Sequence, residues 1–146
     1  MRAVIVREHG PIRSPKLEAV ADPQPAAGEV LIEARAIGVN YPDLLVIEGK
    51  YQFLPPRPFS PGKEVADIVT AVGEGVTGVR PGERVMALPE YGTYSEKVVV
   101  SEKVCYRMPD SIPFEASAAP TSFSTASAAT CSTARCARSP GAAAWW

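Results

Sequence analysis

The stretch from residue 60 to 85, SPGKEVADIVTAVGEGVTGVRPGERV, constrains the fold of this chain more than any other. Val65, Ile68, Val69, Ala71 and Val72 form a β-prone run, the glycines between 73 and 78 interrupt it, and Arg80-Pro81-Gly82-Glu83 turns the chain into a second run over 84–88. Pro81 fixes φ and Gly82 relieves the steric conflict of a tight turn, so the segment is predicted to be strand, turn, strand. Gly73 and Gly75 are both expected to take positive φ where the backbone reverses. This geometry alone names no reaction.

The rest of the chain is likewise built of short runs between turns. Ala3–Arg7 and Leu17–Val20 flank His9-Gly10-Pro11 and predict an opening hairpin, with His9, the single histidine, as a solvated loop residue. Asp22-Pro23-Gln24-Pro25 breaks the chain into an extended segment. Gly28–Val39 is long, rich in β-branched residues and bounded by glycines, which predicts a strand. Tyr41–Gly49 predicts a short helix, because Pro42 suits a first helical position, Asp43 adds an acidic residue to the first turn and Gly49 is placed to end it. Pro55, Pro56, Pro58 and Pro61 exclude regular structure between Leu54 and Pro61, and Gly92–Val100 supplies one more strand. Many short strands, close turns and little helix predict a mainly β fold, a barrel or a sandwich with short helices.

Composition narrows the function classes. With 146 residues, 46% hydrophobic and 21% charged, the chain is sized for one modest core. A net charge of -1 leaves no basic surface for nucleic acid or an anionic membrane, so neither is expected as a partner. Met1–Glu8 meets charge too early for a signal peptide, and no apolar run approaches the roughly 20 residues that span a bilayer, which makes a cytoplasmic location the expectation. Cys105, Cys131 and Cys136 form no framework, and Cys131-x4-Cys136 lacks the second pair of a zinc site, so all three are read as free thiols. All 16 acidic residues precede Ala116. Beyond it the chain turns to Ala, Ser, Thr and Arg without aliphatic periodicity and is expected to be flexible.

Several spacings together resemble the signature of the medium-chain dehydrogenase/reductase superfamily, and within it the zinc-independent, zeta-crystallin-like quinone oxidoreductases. They are Pro61-Gly62-x-Glu64, Val69-x-x-Val72-Gly73-x-Gly75-Val76 and Gly82-Glu83-Arg84-Val85, joined by Gly38-Val39-Asn40-Tyr41-x-Asp43, Gly49-x-Tyr51, Gly92-Thr93-Tyr94-Ser95-Glu96 and Pro109-Asp110-Ser111-Ile112. The likeness runs from Met1 to about Ala126. It implies a GroES-like, partly open β-barrel over residues 1–126, the catalytic domain of an NADPH-dependent quinone or enone reductase whose full-length relatives are homo-oligomeric. The Rossmann domain that would follow is expected to be missing, since the one G-x-G-x-x-G, at 73–78, lies between the two β-prone runs and none occurs after Ala126. Ser124-Thr125-Ala126 matches the opening of that domain, after which the resemblance stops. Residues 127–146 are therefore read as an aberrant tail, expected to come from an out-of-frame stretch of coding sequence.

The resemblance also points to site residues. Zinc-dependent relatives place a cysteine after the long strand and a Gly-His-Glu later, whereas here Asn40 and Tyr41 follow Gly38-Val39 and Lys63 stands in the histidine position, where a cation would repel a metal. No metal is expected. Asn40, Tyr41, Asp43 and Tyr51 are the implied cleft residues: Asn40 as a donor to a carbonyl or to the cofactor amide, Tyr51 to orient a quinone or supply a proton. Asn40 and Thr125 are the implied cofactor contacts. Each has a structural alternative. Asn40 and Asp43 suit a helix cap, Tyr41 and Tyr51 suit packing against the barrel, and Glu64 is read as a structural carboxylate satisfied by backbone or an arginine. The rival reading from another class is a non-enzymatic GroES-like barrel acting as a binding or assembly module.

Overall fold

The computed structural model describes residues 1–117 and 130–132. Strands β1 (Arg2–Ile5) and β2 (Lys16–Ala19) pair antiparallel with Arg2 opposite Ala19, which is the expected opening hairpin. The ten residues of β3 (Glu29–Gly38) are the spine of the second sheet. After helix α1 (Tyr41–Glu48) come β4 (Glu64–Val72), β5 (Arg84–Ala87), β6 (Lys97–Ser101) and β7 (Cys105–Arg107), in the spatial order β6-β3-β4-β5-β7. Thr130–Ser132 (β8) pairs with Ala36–Gly38, the part of β3 that β6 leaves open. Every named pair is antiparallel.

Two register shifts against β4, at Leu31/Ile32 and at Ala34/Ala36, bend β3. Bulges of this kind increase strand twist, which curls the sheet into a partial barrel instead of leaving it flat. Inside the curl, Val30, Ile32 and Ala34 of β3 meet Val65 and Val69 of β4, Val85 and Ala87 of β5, and Val98 and Val100 of β6. Glu33 and Arg35 face outward between them. At one end Ala36 and Ala66 are covered by Met108 and Phe114, the latter from the short helix α2 (Phe114–Ser117). Arg84 and Arg35 place their guanidiniums 4.0 and 5.1 Å from the Phe114 ring centre, so cations cap the edge of an apolar plug. A third cluster, Val6, Val46, Ile47 and Phe59, fastens the opening hairpin and α1 to the barrel. The mainly β, curled, GroES-like architecture with short helices is the one expected.

Three local expectations need correction. Gly73 does not take positive φ, although Gly75 (φ 80°) and Gly82 (φ 90°) do. Gly73 is needed for space: a Cβ there would lie 1.7 Å from the Ala26 carbonyl oxygen, and the Gly73 amide donates to Glu29 O at 2.8 Å. His9 is not simply solvated, because its Nδ1 lies 3.1 Å from Val46 O and its ring packs on Phe59. The strand expected from Gly92 begins only at Lys97. The Ser95 hydroxyl bonds the carbonyls of Gly92 and Lys97, both at 2.9 Å, and competes with regular extension before it. The three-residue β7 was too short to show alternation. Cys105, at its start, is a free thiol pushed up to about 11 by burial and by the Glu102 carboxylate, while the Cys131 side chain and Cys136 lie outside what the structure describes.

Ile32 has no solvent exposure and sits at the centre of the main cluster. Ile32→Ala is expected to lower unfolding stability by about 2–5 kcal/mol through lost transfer energy and a residual cavity. Urea denaturation followed by circular dichroism checks this, and a change below about 1 kcal/mol would mean the barrel centre is not closely packed.

Candidate active site

The candidate site forms where β3 ends. Asn40 is extended (φ −118°, ψ 153°) and caps α1, with Pro42 in the first turn and Gly49 in the left-handed conformation closing the last. Asp43, third in the helix, reaches back so that its Oδ2 accepts from the Asn40 backbone N–H at 2.8 Å, the carboxylate half of a capping box. The same Oδ2 accepts from the Tyr94 hydroxyl at 3.0 Å. Asp43 is only 1% exposed, and through these two bonds it caps the helix and ties Tyr94 to it.

Gly62 brings a second segment to the same place. Its φ is +93°, and a Cβ would stand 2.2 Å from Thr93 Oγ1 and 2.3 Å from Tyr94 Cδ1, so only glycine lets Tyr94 lie against this turn. Lys63 and Glu64 follow. Lys63 Nζ donates to the Glu90 carbonyl at 2.7 Å and to Glu90 Oε2 at 2.8 Å, and it lies 5.0 Å from the centre of the Tyr51 ring. Glu64 is buried, and the Asn40 side chain acts on it in favour of the charged form. Among the described residues, Asp43 Oδ1, Glu64 Oε2 and Thr93 Oγ1 are buried oxygens without a hydrogen-bond partner.

Burial dominates the electrostatics. It pushes the Asp43 carboxyl above the ordinary carboxylate range, against the opposing Asn40 N–H, the Tyr94 hydroxyl and the Lys63 charge. Glu64 is also raised, first by burial and further by the Asp43 charge, with the Asn40 side chain opposing. Two acids and one ammonium therefore share this corner of the barrel.

Of the residues named from sequence, Asn40, Asp43 and Tyr51 converge here through Glu64, Tyr94 and Lys63. Tyr51 is half-buried against Val6, Val46, Ile47 and Phe59. Tyr41 is 71% exposed and bonded into none of these contacts. Thr125 lies outside the described residues. Sequence reasoning considered Lys63 only as a group that repels metal and gave Tyr94 no role. The Asp43–Tyr94 bond spans 51 residues, so no local spacing announces it. Among the described residues no three His, Cys, Asp or Glu side chains are grouped to hold a metal ion.

A curled antiparallel half-barrel with few helices is a GroES-like architecture. Residues 26–110 match the alcohol dehydrogenase GroES-like domain, and the chain belongs to that family. It is 38% identical over 121 residues to the synaptic vesicle membrane protein VAT-1 homolog of Rattus norvegicus, covering 82% of this chain and 30% of that protein. It is 36% identical over 121 residues to the quinone oxidoreductase of Lama guanicoe, covering 82% and 37%. The solved Escherichia coli quinone oxidoreductase complexed with NADPH superposes with a TM-score of 0.77 at 30% identity, over 82% of this chain and 36% of that one. The chain thus spans between 30% and 37% of the length of these two relatives. No helix among the described residues is long and apolar enough to cross a membrane.

The raised carboxyls make a signed prediction. An acid that holds its proton more tightly when folded contributes stability fully present below the ordinary carboxylate range and lost as pH rises through its folded value. Glu64→Gln removes that ionisation, so the melting temperature of the variant minus that of the wild type should fall as pH is lowered from about 8 to about 5. Thermal melts across this range check it, and a difference that grows toward acid would reverse the sign assigned to Glu64.

Proposed function

We propose that this domain supplies the substrate-facing half of an NADPH-dependent, zinc-independent quinone or enone reductase. The observation that carries the reading is the Lys63 ammonium over the Tyr51 ring, next in sequence to Glu64 on which the Asn40 side chain acts, in a domain of the family to which quinone oxidoreductases belong. NADPH, when bound, supplies the hydride. Asn40 lies at the cap of α1, where its amide offers hydrogen bonds to a substrate carbonyl or to a carboxamide. Tyr51, fixed by packing on Phe59 and Ile47, offers a phenol that orients the substrate oxygen or delivers a proton to it. Asp43 acts through the helix cap, as a positioning residue for Asn40. Tyr41 and Thr125 belong to the proposal as contacts at the edge of the cleft. A cytoplasmic location and homo-oligomeric assembly of the full-length form complete it.

The residues present fit the nicotinamide end of the cofactor and not its phosphates. The sequence's one G-x-G-x-x-G, at residues 73–78, is a loop between β4 and β5 with no helix after it, so these glycines do not seat a pyrophosphate on a helix N-terminus. The same fact favours the second reading, in which the GroES-like barrel acts as a binding or assembly module.

Two measurements test the proposal. In a form extended to the length of the quinone oxidoreductase relatives, Tyr51→Phe should lower kcat/KM for a simple quinone about a hundredfold when NADPH absorbance is followed. Activity unchanged in both Tyr51→Phe and Asn40→Ala would remove these residues from the chemistry. Isothermal titration of the 146-residue chain with NADPH should show no binding in the micromolar range, and micromolar binding would mean the barrel itself grips the dinucleotide.

A further inference from the structure

Lys63 is held in an unusual way for a lysine. Its side chain is 16% exposed, and an ammonium has three donors. One donor is committed to a backbone carbonyl, Glu90 O at 2.7 Å, which fixes the position of Nζ without cancelling its charge. Another meets Glu90 Oε2 at 2.8 Å, but the Glu90 side chain is 68% exposed. An ion pair so open to water contributes little, so that carboxylate is readily displaced. Below the ammonium lies the Tyr51 ring, its centre 5.0 Å away. Beside Glu90, Tyr91 stacks on Phe53 with ring centres 6.4 Å apart and planes 26° from parallel, and both rings are partly exposed. A fixed cation, a displaceable oxygen ligand and flat aromatic faces therefore stand together.

We propose that Lys63 is the oxygen-binding residue of this site: its ammonium donates to a carbonyl oxygen of a planar quinone or enone, which takes the place of the Glu90 carboxylate while the Glu90 backbone carbonyl keeps Nζ in register. This rests on the quinone or enone reading of the site and deepens it by naming the group that recognises the substrate oxygen. Glu90 acts as a competitor for the same donor, which gives the two residues opposite signatures.

The probe is anthraquinone-2-sulfonate, titrated by calorimetry into the full 146-residue chain, with naphthalene-2-sulfonate as a ligand of equal charge that lacks carbonyls. Lys63→Met keeps the stem and should weaken anthraquinone-2-sulfonate about tenfold or more, the loss of one charged hydrogen bond, and leave naphthalene-2-sulfonate unchanged. Glu90→Ala, at an exposed position that does not threaten folding, should tighten anthraquinone-2-sulfonate about threefold by removing a weak competitor. Equal binding to wild type and Lys63→Met overturns the assignment of Lys63 while leaving the quinone reading intact. An equal loss for both ligands reduces Lys63 to general attraction for anions and also overturns it, as does a Glu90→Ala chain that binds no tighter than wild type. No binding of the quinone to the wild-type chain defeats both the inference and the reading beneath it.

Discussion

The Asp43 carboxylate is the point on which the arrangement depends. A carboxylate with 1% exposure is costly to bury unless hydrogen bonds replace the water it loses. Here Oδ2 receives two, one from the Asn40 backbone N–H and one from the Tyr94 hydroxyl. The first fixes the start of α1. The second ties that helix to the segment before β6, and this segment holds β1 through Val4 N to Tyr94 O at 2.8 Å and Glu96 N to Arg2 O at 3.0 Å. Opening hairpin, helix and barrel are thereby registered through one side chain. The cost appears as a raised affinity for protons, with burial outweighing the donors.

That cost couples to Glu64. Burial and the Asp43 charge both act against ionising Glu64, while the Asn40 side chain favours it. Lys63 lowers the burden on Asp43 without pairing with it, because its own donors are turned to Glu90. The corner therefore carries charge of both signs in separate directions: carboxylates toward the helix cap, an ammonium toward the aromatic faces. Such separation suits a site that must polarise an oxygen without neutralising the group that does so.

How much of this was legible in the sequence follows from how local each cause is. The helix at Tyr41 was legible because Pro42, Asp43 and Gly49 act within one or two turns, and the Arg80–Glu83 turn because Pro81 and Gly82 set their own dihedrals. Gly73 was given the wrong reason, since its requirement comes from the Ala26 carbonyl, far off in sequence. His9 was read as solvated because nothing beside it reveals Val46 and Phe59. The site shows the same division. Asn40, Asp43 and Tyr51 stood out through family resemblance, but which of them bonds, packs or faces water depends on Tyr94, Lys63 and Glu64, brought in by the sheet. Tyr41, equal to its neighbours on the resemblance, is the residue that the fold leaves in solvent.

Gly62 shows how a single turn generates the polarity of the site. With φ at +93° and no Cβ, it lets Thr93 and Tyr94 press against the backbone just before β4 begins. The two residues after the turn have different surroundings: Lys63, still before the strand, meets Tyr51 and Glu90, while the buried Glu64 opens β4 and is acted on by the Asn40 side chain. A larger residue at 62 would displace Tyr94 and loosen its bond to Asp43, and with it the cap that holds Asn40. The ammonium on one side and the buried acid on the other thus follow from one backbone conformation, and the fold needs that conformation whether or not chemistry is performed there.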